Sequence, residues 1–185
     1  MWLVVCDMKK INLLIMSLLF YATGVLSQTY YYNATKTFNM GSYTYQCDTD
    51  DSYMVTLYNK TNQFTYAPQK YKDGTYPKPG VVLKDVEDDT SMQPLVKSIV
   101  NNAFTPAQKQ KVKGELLSIA MRINPETGKV IEVEFGFLKN DPFATVDVAI
   151  YRSIEMGLKN QISFKPTAEG KKLNYMIRAW MHKVQ

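Results

Sequence analysis

Few residues in this 185-residue sequence have the type and spacing to do chemistry. His182 is the sole histidine, so no pair of imidazoles can hold a metal, and beyond the first 27 residues Cys47 is the only thiol. A dyad of Cys47 and His182 is conceivable, but no neighbour of either marks an activated nucleophile. Asp141 and Asp147 could meet as a pair of carboxylates of the kind that glycosidases use. Asp147 also stands where a helix should start, a place a carboxylate favours for electrostatic reasons alone. The run "DTDDS" from Asp48 opens like a calcium loop, yet lacks that loop's glycine and its closing glutamate. There is no Gly-rich phosphate loop and no strand-Ser-helix elbow. We therefore expect no metal, no cofactor and a non-catalytic role; the alternative is a small hydrolase acting on envelope glycans or peptides.

The formal charge of +5 is mild and its Lys and Arg residues lie among acids. A nucleic-acid protein would concentrate them on one face, so nucleic acid is not an expected partner. From Met8 the chain reads "MKKINLLIMSLLFYATGVLSQ": two lysines, an apolar run, then small residues. That is the order of a signal peptide, with Met8 as the expected start and Val25 and Ser27 ahead of a cut before Gln28. The apolar run is shorter than the roughly 20 residues that span a bilayer, so no stable membrane span is expected after cleavage. The expected location is the periplasm or outer envelope.

Three segments follow: 1–27 as leader, 28–89 as a Tyr-rich β region with a Pro-containing connector, and 90–185 as an α+β domain. The Tyr-rich part has turn clusters at "DTDD" and "NKTN" between β-formers. Its tyrosines suit half-buried strands, or an exposed face that binds glycan or peptide. Cys47 lies between Tyr45 and the turn, as a small buried hydrophobe or a reactive thiol. "NAT" at Asn33 and "NKT" at Asn59 would accept sugar only in a eukaryotic secretory route. The acids Asp85, Glu87, Asp88 and Asp89 precede a helical stretch, where Thr90 or Ser91 could cap.

From Thr105 the periodicity is clean. "TPAQKQKVKG" has a capping Thr, a Pro at the first helical position and a stopping Gly. Leu117, Ile119, Met121 and Ile123 alternate with polar or small residues, as do Ile131, Val133, Phe135 and Phe137 beyond a turn at Pro125 to Gly128. Val146, Ala149, Ile150, Ile154, Gly157 and Leu158 recur at helical spacing. A last alternation, Leu173, Tyr175, Ile177, Ala179 and Met181, makes a final strand. The expected fold is α+β: a three-stranded antiparallel sheet covered by helix, with a small β-rich N-terminal region.

On these residues, with Pro106, Ala107, Gly114, Gly128, Ala149, Phe164, Pro166 and Gly170 as landmarks, residues 100–184 resemble the TonB C-terminal domain. The chain also resembles secreted proteins of Gram-negative, Bacteroidetes-type bacteria. The resemblance implies binding rather than a reaction: an extended peptide of an envelope protein added to a sheet edge. It implies the last strand as that edge, with Asn174, Arg178, Trp180 and His182 facing the partner. A cleavable leader and a short proline strap depart from a force-transmitting anchor and spacer. Ligand and oligomeric state stay open.

Overall fold

The computed structural model describes residues 29–79 and 83–185; the expected leader lies outside them. The strands are β1 (Lys36–Asn39), β2 (Thr44–Thr49), β3 (Met54–Asn59), β4 (Leu116–Ile123), β5 (Val130–Leu138) and β6 (Met176–Lys183). The helices are α1 (Gln93–Ala103), α2 (Pro106–Lys111) and α3 (Val148–Gln161), with 3-10 turns at Pro142–Thr145 and Gly170–Lys172. The expected three-stranded sheet is corrected to one antiparallel sheet of six strands, in the order β1-β2-β3-β5-β4-β6. The Tyr-rich strands join it because β5 offers a second hydrogen-bonding edge, which β3 takes from Met54 opposite Leu138 to Tyr58 opposite Glu134.

One face carries the core. Cys47, Leu57, Phe135, Ile119 and Trp180 follow one another across five strands, and all but the partly buried Trp180 are sealed from solvent. Helix α3 lies on this face with Tyr151, Ile154 and Leu158 inward. Helix α1 packs beside it through Val96 and Val100. Tyr151 stacks on Phe137 at 5.5 Å, Tyr32 meets both edge-on, and each phenol donates to a main-chain carbonyl, Tyr32 to Val146 and Tyr151 to Phe143. Thr105 caps α2 ahead of Pro106, as the sequence suggests, and Gln108 completes a capping box with it.

The β4–β5 hairpin turns at Gly128, whose φ of +70° favours glycine and whose Cβ position lies 1.8 Å from the carbonyl oxygen of Phe164. A bulge follows at Arg122/Ile123, so Val130, not Ile131, faces Ile123 in the core. The opposite sheet face is half covered by a strap formed by residues 61–76. Glu132 accepts from the amides of Gln63 and Phe64, Arg122 donates to the carbonyl of Thr65, and Tyr66 and Tyr58 both donate to Asp48. No described helix is long and apolar enough to cross a membrane.

Candidate functional site

Strand β6 ends the sheet on one side and β1 on the other. Along β6, Met176, Arg178, Trp180 and His182 stand opposite Ile123, Met121, Ile119 and Leu117, which are all core residues, so these four project to the helix side. The face expected to be apolar and inward is the outer one: Ile177 and Ala179 are not buried and Met181 is 60% exposed. The inversion has a physical cause. Arg178 is neutralised from within the chain by Asp85 and Asp89, and Trp180 packs 6.1 Å from the Phe164 ring, so a polar-looking set fits beneath the helices.

The four residues expected to face a partner have different roles. Asn174 precedes β6 and ties down the strap: its Oδ1 accepts from the Lys70 amide and its Nδ2 donates to Pro68. Arg178, largely buried, forks onto both oxygens of buried Asp85. The acids expected at the head of α1 instead pair elsewhere or close a turn. Glu87 bonds Lys165, and Asp88 accepts from the amides of Thr90 and Ser91. Gly170 lets this connector close in, since a Cβ there would sit 2.1 Å from the carbonyl oxygen of Asp85.

Trp180 and His182 come together on a concavity of about 320 Å³ between α1 and the free side of β6. Gln93 and Lys97, one helical turn apart, form one wall, and Met181, Lys183 and Gln185 complete it. The Trp180 and His182 rings are 6.4 Å apart. His182 is 8% exposed, and its Nε2 has no hydrogen-bond partner. Burial first, and then the Lys97 charge, hold its pKa below the ordinary imidazole value. Sequence reading missed Gln93 and Lys97; only their i, i+4 spacing on one helix face signalled that they act together.

Two other hollows are less specific. A larger one of about 530 Å³ is lined by Tyr71, Lys72, Lys171 and Lys172, but Lys72 pairs with Glu126 and Lys172 with Glu169. One of about 220 Å³ between α1 and α3 has no charged lining residue.

The pair of Cys47 and His182 is separated in space. Cys47 and His182 lie on β2 and β6, four strand spacings or about 19 Å apart. Asp141 and Asp147 each accept from a backbone amide, Phe143 and Ala149, as caps of successive helical turns. Among the described residues no three His, Cys, Asp or Glu side chains group as a metal site.

Residues 28–180 match the family described as Domain of unknown function (DUF5043). The chain is also similar to a crystal structure of a DUF5043 family protein from Bacteroides uniformis: 45% identity, 85% of this chain and 89% of that chain covered, TM-score 0.80. No curated protein matches. Neither match relates the chain to the TonB C-terminal domain.

Proposed function

This chain belongs to the DUF5043 family, and we propose that it is a non-catalytic binding protein of the bacterial envelope that takes an extended peptide along the free edge of β6. The observation that carries this reading is the pairing of β6 on one side only, beside a groove walled by Gln93 and Lys97 and lined by Trp180 and His182. An added strand gains main-chain hydrogen bonds from the edge, and its alternate side chains fall on the groove side. The other edge is a weaker template: β1 has four residues against eight in β6. The leader-like sequence from Met8 supports export to the envelope.

The test is selection of end-blocked nonapeptides from a randomised pool on the immobilised full chain, followed by amide exchange with a selected peptide at saturation. Slowed exchange along β6 is expected. Retained peptides that leave β6 exchange unchanged, or no retained peptide, would sink the edge reading. N-terminal sequencing of the protein recovered from its host envelope should begin at Gln28; recovery in the cytosolic fraction would refute export.

A further inference from the structure

Resting on that strand-edge reading, we infer that the groove beside β6 selects an acidic side chain, aspartate or glutamate, on the bound peptide, seated against Lys97 with the His182 ring as its floor. Lys97 and Lys183 line the groove together with His182, Gln93 and Gln185, and no aspartate or glutamate side chain does. Among the described residues neither Lys97 nor Lys183 makes an ion pair with an acidic side chain.

At Arg178 the protein supplies its own acids, Asp85 and Asp89. Four residues further on the same face, at His182, it supplies a lysine and leaves Nε2 unpartnered in a residue more than nine-tenths buried. A guest carboxylate there answers the uncompensated positive charge of Lys97. The Trp180 ring forms an apolar side against which the methylenes of an acidic side chain can lie.

Proton linkage follows from the same arrangement. The side chains that share the groove with His182 are Lys97 and Gln93 from α1, Trp180 and Lys183 from β6 and Gln185 beyond it, with Leu117 opposite on β4, and none is an aspartate or glutamate. The free protein therefore holds the ring neutral, whereas a bound carboxylate favours the imidazolium. Binding takes up a proton and strengthens as pH falls.

The selected blocked peptides decide the matter. Aspartate or glutamate should be enriched at one position, and its replacement by the amide should weaken binding at least about tenfold. Lys97→Glu, at an exposed helix position, should abolish or invert that preference. Affinity should rise from about pH 8 to about pH 6 in the unchanged protein and stay flat in His182→Gln. Peptides that protect β6 but show no acidic position overturn this inference and leave the edge reading intact. Failure to protect β6 overturns both. A parallel pool with free C-termini that outcompetes internal acids overturns it in favour of terminal-carboxylate capture.

Discussion

Tyr45 on β2 donates its phenolic hydroxyl to the carboxylate of Glu155 on α3, deep between sheet and helix. Arg152 at 2.8 Å and Lys159 at 3.5 Å neutralise the same carboxylate, and Asn59 reaches it from β3. Tyr45→Phe removes one donor and leaves a buried oxygen short of a partner, a loss of about 1–3 kcal/mol. Urea unfolding of Tyr45→Phe, Glu155→Gln and the double variant measures it. Additive effects would refute direct coupling between the two side chains.

Arg178→Ala should be more damaging than its place on an edge strand suggests. It leaves Asp85, 2% exposed, without its cation, at a cost of about 3–5 kcal/mol. Asp89→Asn, at a site 61% exposed, should change stability by less than about 1 kcal/mol. Equal effects in thermal unfolding would contradict the assignment of Asp85 as the principal partner.

His182 sets a pH dependence of stability. Its folded pKa is depressed below 6.5, so between the two values the unfolded chain binds more protons and stability rises with pH. The contribution is complete above the unfolded value and is lost as pH falls from there through the folded one. His182→Gln should flatten this part of the stability profile. An unchanged slope would place the titration elsewhere.

Cys47 should not react as a surface thiol. Burial chiefly, and the Asp48 charge next, push its pKa up to about 11, and Sγ points to the carbonyl of Ala34. Ellman's reagent should label it slowly in the native protein and fully in denaturant. Rapid native labelling would show that β1 and β2 open easily.

The strap depends on one carboxylate. Glu132→Ala should speed amide exchange at Gln63 and Phe64 by about ten- to a hundredfold, with the core strands unaffected. Uniform acceleration across the sheet would mean that Glu132 supports the whole fold.

Parts of the span from Leu117 to Leu158 were legible because local spacing and burial agree there: Leu117 to Ile123 alternate into the core and Ile154 and Leu158 share a helix face, whereas Ala149, expected on that face, is exposed. Phase was lost wherever a distant partner decides it. Arg178 is inward only because Asp85, 93 positions earlier, neutralises it, and Ile131 leaves the core because of a bulge that alternation cannot show. The six-stranded sheet was hidden for a related reason. β3 pairs with β5 through main-chain groups, which carry no side-chain signature. The groove beside His182 was half visible: Trp180 and His182 drew notice, but Lys97 meets them only through tertiary packing.

The β3–β5 pairing also bears on solubility. Left open, β5 would offer other chains nine residues rich in Val, Ile and Phe, a template for uncontrolled strand addition. With β3 in place, that aggregation-prone border is sealed and the sheet ends instead at β1, a four-residue strand carrying Lys36. Variants that loosen the Tyr-rich strands should therefore precipitate before they lose their helices.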